Sequence, residues 1–396
     1  MFHLLKGLRI IDLTTVVLGP YATQILGDLG AEVIKIEPLE GDVFRAARPG
    51  RSAGLGAHYL NLNRNKASLA IDLRKPEGQA VLMQLVRTAD VLVHNMRPAS
   101  AAKLGFSYEQ ARACNDKLVY CFAPGFGQNG PQAAAPAYDD VIQAMSGVAA
   151  LNANAEGVPR FLPTILCDKI GGLHLAIAVL GGVVQKQATG HGCQIEAPMF
   201  ESMVSFLMAE QLSGETFVPA LGGTGYERLL SPNRRPFRTG NGYLSILPYT
   251  TAHWTRFLAL AGHTELADAE WVKNAVSRSQ RINELYKIIA DVAPSRSTED
   301  WLQALRERDI PCARVNGIAD LLHDEHLTAV DFFPRAEHPT QGSMRSVRSP
   351  FRVQGDEPSP DHPAPELGEN SAAILQGAGL DAERIAALVA SGVIRG

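Results

Sequence analysis

Asp168 is the side chain with the strongest case for chemistry. It stands in Phe161-Leu-Pro-Thr-Ile-Leu-Cys-Asp-Lys-Ile-Gly-Gly172, where an apolar, strand-like run gives way to a helical pattern rich in small residues. The predicted helix, roughly residues 169–187, points its unpaired backbone N–H groups and the positive end of its dipole at that carboxylate, which keeps it ionised at neutral pH. An ionised, oriented carboxylate is a usable nucleophile. The plainer reading is that an Asp at such a junction is an N-cap and nothing more. Cys167 is a weak rival, since Lys169 is the only basic residue close in sequence that would lower its thiol pKa.

The elements that must position Asp168 read as alternating strands and helices. Leu8-Arg-Ile-Ile-Asp-Leu13 is a strand, residues 21–29 a helix and Glu32-Val-Ile-Lys-Ile-Glu37 a second strand, which makes a βαβ opening. A helix follows Pro76, and Asp90-Val-Leu-Val-His94 and Leu118-Val-Tyr-Cys-Phe122 are further strands. The alternation predicts an α/β fold with a mostly parallel, Rossmann-like sheet covered by helices. Glycine, proline and polar residues gather at Gly222-Gly-Thr-Gly225 and Ser231-Pro-Asn-Arg-Arg-Pro236, after which Gly242-Tyr-Leu-Ser-Ile-Leu247 and a helix over 252–261 begin a new unit. The expected division is a large domain over 1–225, a smaller α/β domain over 226–330 and a return of 331–396 to the large one. Glu357-Pro-Ser-Pro-Asp-His-Pro-Ala-Pro365 should wrap over the surface before a terminal pair of short helices.

Composition narrows the function. The 396 residues include 37 basic and 41 acidic side chains, a net charge of −4 without a long Lys/Arg block, so nucleic acid and anionic membrane are not expected partners. The N-terminal Met1-Phe-His-Leu-Leu-Lys-Gly carries no signal-peptide pattern, which points to a cytoplasmic protein. The apolar stretch over 170–184 is too short to span a bilayer and reads as a buried helix. Five cysteines without a CxxC pair read as reduced core thiols. The first strand is followed by Leu13-Thr-Thr-Val-Val-Leu-Gly-Pro-Tyr-Ala22, without the GxGxxG of a nicotinamide dehydrogenase, and no P-loop occurs. His323 and His326 sit in a charged helix end and suit a solvated face better than a metal site.

Longer motifs go further. Gly19-Pro-Tyr-Ala-Thr-Gln-Ile-Leu-Gly-Asp-Leu-Gly-Ala-Glu-Val-Ile-Lys-Ile-Glu37, Asn63-Arg-Asn-Lys66, Asp72-Leu-Arg-Lys-Pro-Glu-Gly78, Asn95-Met-Arg-Pro98, Gly125-Phe-Gly-Gln-Asn-Gly-Pro131, Ile310-Pro-Cys-Ala-Arg-Val-Asn316 and Pro365-Glu-Leu-Gly368 follow one another in order. Together they resemble the class III coenzyme A transferases, the family of formyl-CoA transferase and carnitine CoA transferase, over nearly the whole chain. Asp168 falls where that family keeps its catalytic aspartate. The resemblance implies transfer of CoA from an acyl-CoA donor to a free carboxylic acid through an aspartyl-CoA thioester, with CoA esters as substrates and no permanently bound metal or redox cofactor. It also implies an interlocked homodimer.

Residue by residue, the resemblance places Val16 and Val17 near the CoA thiol, and Leu73, Arg74, Asn95, Met96 and Lys103 against its nucleotide end. The family also contains alpha-methylacyl-CoA racemases, which use a histidine where this chain has Tyr138 of Ala137-Tyr-Asp139. A phenol with a pKa near ~10 is a poor base and a good hydrogen-bond donor, so transfer is favoured over racemisation. Two departures mark this chain. Pro136 replaces a lysine of formyl-CoA transferase, and Ile246-Leu-Pro-Tyr-Thr-Thr-Ala-His253 replaces its mobile tetraglycine loop, which makes oxalate a doubtful acceptor. Tyr249, Thr250 and His253 would line an acceptor pocket, with Arg234, Arg235 and Arg238 within reach of a second carboxylate; ordinary linker and helix-start roles are the plainer reading of all six. The alternatives are an acyl-CoA racemase or epimerase, and a CoA-binding protein without turnover.

Overall fold

The computed structural model describes residues 1–356 and 358–395, so that Glu357, the first residue of the proline-rich stretch, lies outside it. The chain forms two compact units, Met1–Leu207 with Phe332–Gly396, and Met208–Asp331.

In the first unit six parallel strands, β1 (Arg9–Leu13), β2 (Glu32–Glu37), β3 (Lys66–Ala70), β4 (Val91–His94), β5 (Val119–Phe122) and β6 (Cys193–Glu196), lie in the order β3-β2-β1-β4-β5-β6. Period-two alternation explains why this sheet is covered on both faces. Ile11, Ile34, Leu92 and Tyr120 enter one core with Leu82, Leu85 and Leu375, whereas their neighbours Ile10, Val33, Val91 and Val119 enter the other with Leu26, Leu175 and Val179. The strand order reverses direction between β1 and β4. Loops that leave the carboxyl ends of these two strands therefore diverge to opposite sides and open a crevice, the usual ligand position in such sheets.

Three charged strand residues interrupt the apolar pattern. Asp12, Lys35 and Lys66 are fully or almost fully buried, and Lys66 Nζ lies 3.2 Å from Asp12 while Lys35 Nζ lies 3.0 Å from Asp42. Burial alone would raise the Asp12 carboxyl, but Lys66 and Lys35 outweigh it and hold the group below the usual carboxylate range.

The helix that carries Asp168 runs over Cys167–Thr189, two residues longer at each end than expected. It is neither short nor wholly buried: its 23 residues are long and apolar enough to cross a membrane by length and composition, and Leu173, Ile177 and Val184 are exposed. Its glycines explain how it packs. A Cβ at Gly172 would come within 2.6 Å of the Leu18 carbonyl oxygen, and one at Gly182 within 2.5 Å of Val119 Cγ1, so these positions let the helix lie directly on the helix Leu18–Asp28 and on β5.

The second unit is one continuous segment. β7 (Phe237–Arg238), β8 (Tyr243–Ile246) and β9 (Cys312–Arg314) form an antiparallel sheet against Trp254, Phe257, Tyr286 and Trp301. Its first boundary falls inside the helix Met199–Gln211, not at the expected residue 225. The reason is local: Gly225 N donates to the Gln211 carbonyl at 2.7 Å, Tyr226 N to the Gln211 side chain at 3.1 Å and Gly214 N to Gly223 O at 3.2 Å, which folds the glycine-rich segment back on the helix end.

Candidate active site

The crevice at the strand reversal is a cleft of about 380 Å³ in the first unit. Residues 15–18 follow β1, 95–97 and Ser100 follow β4, 123–125 follow β5 and Met199 follows β6; residues 135–138 and Asp168 complete the lining. The structure thus brings together Asp168, Tyr138, Val16, Val17, Asn95 and Met96, which lie up to 152 residues apart in sequence.

Asp168 is half-buried in the first turn of its helix, but it is not the cap. Capping is done by Asp139, whose Oδ1 accepts the backbone N–H groups of Cys167 at 2.6 Å and Asp168 at 3.1 Å, while its Oδ2 accepts from Gln143 Nε2 at 2.6 Å. This leaves the Asp168 carboxylate to the cleft. The expected electrostatics are also corrected: burial, and then the charge of Asp139, raise Asp168 to a pKa of about 6. At neutral pH the group is still mostly the carboxylate, and a more basic one than an exposed Asp. Burial and Asp139 likewise push the Cys167 thiol up to about 12, which leaves it inert.

Tyr138 precedes the helix Asp139–Met145 and is 71 % exposed, so its ring stands in the cleft mouth and not in the core. Gly125 lies so close to Ala137 that an added Cβ would meet its methyl at 2.3 Å, which seats the 135–138 segment on the loop after β5. Asn95 spends both amide atoms on Thr15, accepting from its N–H at 3.0 Å and donating to its carbonyl at 2.9 Å; it therefore shapes the wall of the cleft instead of reaching into it. Met96 lines the cleft and also packs on the first core.

Leu73, Arg74 and Lys103 are not part of this lining. Leu73 is buried, Arg74 is exposed and bound to Asp72 at 2.7 Å, and Gln79 Nε2 ties the carbonyls of Leu73 and Lys103 together at 3.0 and 3.4 Å. They form a neighbouring cluster. Arg97, whose Nη1 donates to Ala134 O at 3.3 Å, does line the cleft and is a cation that sequence reasoning misses within Asn95-Met-Arg-Pro98. Sequence reasoning misses Asp139 too, although an acid at the start of a helical run is a recognisable signal.

In the second unit, Thr250 and His253 are engaged in helix-start chemistry. The Thr250 hydroxyl accepts from His253 N at 3.1 Å, and His253 Nδ1 accepts from the backbone of Tyr249 and Thr250 at 3.3 and 3.4 Å. The Tyr249 ring is exposed and stacked under Arg228, 4.7 Å from its guanidinium carbon. Arg234 closes a turn through its N–H to Ser231 O at 2.9 Å. Among the described residues no cluster of three His, Cys, Asp or Glu is arranged to hold a metal.

A half-buried carboxylate open to such a cleft is chemically able to attack an acyl carbon. The family model for CoA-transferase family III matches residues 5–371. Succinyl-CoA:glutarate CoA-transferase of Homo sapiens is 29% identical over 395 residues, covering 98% of this chain and 90% of that one. Succinate–glutarate CoA-transferase of Agrobacterium fabrum is 30% identical over 384 residues, covering 94% of each. The crystal structure of a CAIB/BAIF family protein from Brucella suis superposes with a TM-score of 0.79 at 28% identity, covering 96% of this chain and 100% of that one. The chain belongs to CoA-transferase family III and is a CoA-transferase enzyme.

Proposed function

We propose that the enzyme transfers CoA between a dicarboxylate-type acyl-CoA and a free dicarboxylic acid, with Asp168 as the nucleophile. The observation that carries the reading is the placement of Asp168: a half-buried carboxylate in the switch-point cleft, relieved of helix capping by Asp139. The dicarboxylate class is supported by the succinate and glutarate substrates in the names of the relatives.

The steps balance without water. An Asp168 oxygen attacks the thioester carbonyl, the C–S bond breaks, and a mixed anhydride and CoA thiolate result. The thiolate attacks the aspartyl carbonyl and expels the donor acid as its carboxylate, leaving aspartyl-CoA. The acceptor carboxylate attacks that carbonyl and releases thiolate, which then takes the acyl group from the new anhydride and regenerates Asp168. Donor thioester, aspartyl-CoA and product thioester are alike in energy, so the exchange loses little driving force overall while the covalent route divides one hard step into easier ones. The Tyr138 hydroxyl, at the cleft mouth, is suited to donate a hydrogen bond to the developing oxyanion.

Enzyme is mixed with succinyl-CoA, quenched, trapped with hydroxylamine and digested for peptide mass spectrometry. A modified peptide containing Asp168 is expected. An Asp168→Asn chain that folds and still exchanges acyl groups near the parent rate would sink the reading. Uptake of deuterium at the alpha carbon of a chiral 2-methylacyl-CoA, at the turnover rate, would put racemisation in its place.

A further inference from the structure

We propose that Asp42, backed by Lys35, is a positioning residue for the transfer reaction: it holds Val16 in a left-handed backbone conformation and so fixes the cleft wall formed by residues 15–18. The proposal rests on the assignment of the Asp168 cleft as the site of transfer.

Val16 has φ +70°. For a β-branched residue this is a strained conformation that survives only where the surroundings impose it. Here they do so through buried charge. Asp42 receives the Val16 N–H at 3.2 and 3.3 Å, and its Oδ1 also accepts Phe44 N at 3.0 Å. Lys35 Nζ donates to Asp42 Oδ2 at 3.0 Å and to the Thr14 carbonyl at 2.8 Å, and both side chains of this pair are fully inaccessible. From the other side Asn95 clamps Thr15 through both amide atoms, and Asp12 Oδ1 accepts Thr14 N at 2.9 Å. Three successive backbone units, at 14, 15 and 16, are thus each held by side chains outside the loop.

A buried ion pair is a costly way to gain stability, since apolar residues of the same volume serve as well. It is a good way to fix one geometry. That geometry matters because the chain runs from Val16 straight into the helix Leu18–Asp28, whose first residue touches the Asp168 helix one turn beyond Asp168. A Cβ at Gly171 would lie 2.8 Å from Leu18 Cδ1, and one at Gly172 would lie 2.6 Å from Leu18 O. A shift at Val16 is therefore carried both to the cleft wall and to the helix that presents the nucleophile.

The test uses a double-substitution cycle in the full chain. The readouts are glutaryl-CoA formation from succinyl-CoA and glutarate, CoA affinity by calorimetry, and cooperativity of thermal unfolding. Asp42→Asn should slow transfer by about 10- to 100-fold, the population cost of an unsupported left-handed β-branched residue. Glycine adopts φ +70° freely. Adding Val16→Gly to Asp42→Asn should therefore restore transfer to within about threefold of Val16→Gly alone, a non-additivity that a merely stabilising residue would not show. The pair Lys35→Met with Asp42→Asn, which leaves no unpaired buried cation, should be rescued in the same way. Additive effects, an Asp42→Asn enzyme at the parent rate, or loss of cooperative unfolding in both backgrounds would each overturn the proposal. Transfer without an adduct on Asp168 would instead overturn the nucleophile assignment and leave the Val16 rescue readable.

Discussion

Asp168 combines a catalytic asset with a structural cost. Its pKa of about 6 exceeds that of an unfolded-chain Asp because burial and Asp139 oppose its charge. Above that value the folded protein carries a penalty the unfolded chain does not; as pH falls through about 6 toward the unfolded value, the folded form binds the proton first and the penalty disappears. Asp168→Asn should therefore raise the unfolding free energy at pH 7 by on the order of 1 to 3 kcal/mol while abolishing transfer. Denaturant titration at pH 7 checks this, and a variant less stable than the parent would contradict it. Activity of the parent should likewise fall as pH drops below about 6, where the nucleophile protonates. Sequence made Asp168 conspicuous as a candidate nucleophile, with a cap as the plainer reading of the same position. The true cap comes from Asp139, 29 residues earlier, and no local pattern tells which of two acids will reach the same N–H groups.

At the scale of elements, Asp139 and Gly172 set where the nucleophile stands. Asp139→Asn keeps an acceptor for Cys167 and Asp168 but removes the charge that raises Asp168, so the acid limb of the pH–rate profile should move to lower pH with stability little changed. Asp139→Ala should in addition cost about 1 to 2 kcal/mol through loss of the cap. An acid limb that stays in place in Asp139→Asn would show that burial alone sets the Asp168 pKa. Gly172→Val would drive side-chain atoms into the Leu18 carbonyl and should lower the transfer rate by at least about tenfold with the chain still folded, since a displacement of about 1 Å is enough for such a loss. Strands were legible because short unbroken apolar runs, as at Ile10-Ile11 and Val91-Leu92-Val93, mark strands whose two faces are both buried. The reversal between β1 and β4 was not, because strand order is decided by which helices cover which face, a property of pairs of elements.

For the whole molecule, the family resemblance and the exposed apolar stripe of Leu173, Ile177 and Val184, spaced to share one helix face, lead us to expect a homodimer. Light scattering at micromolar concentration should give twice the chain mass of 42.6 kDa, and a monomeric mass would count against it. The two-part organisation was visible in composition, yet the glycine-rich marker at 222–225 belongs to the second unit, because hydrogen bonds to Gln211 tie it there. A composition shift marks where the chain turns, not which body it turns with.

The last residues of the chain close the first unit: Asp72 N donates to Val393 O at 2.8 Å, Arg395 N to Ala70 O at 3.1 Å, and Leu375 and Leu388 sit in the core beside β3. This joins pieces separated by some three hundred positions, whereas the second unit is an uninterrupted segment with a core of its own. During synthesis the inserted segment emerges whole while the body around it still lacks its final side. The first unit must wait on the ribosome for helices that lie outside the cleft lining, and such long-range closure is slow and exposes apolar surface in the meantime. A lesion near the carboxyl end would thus disable the enzyme as surely as one in the cleft, through yield of folded protein and not through rate.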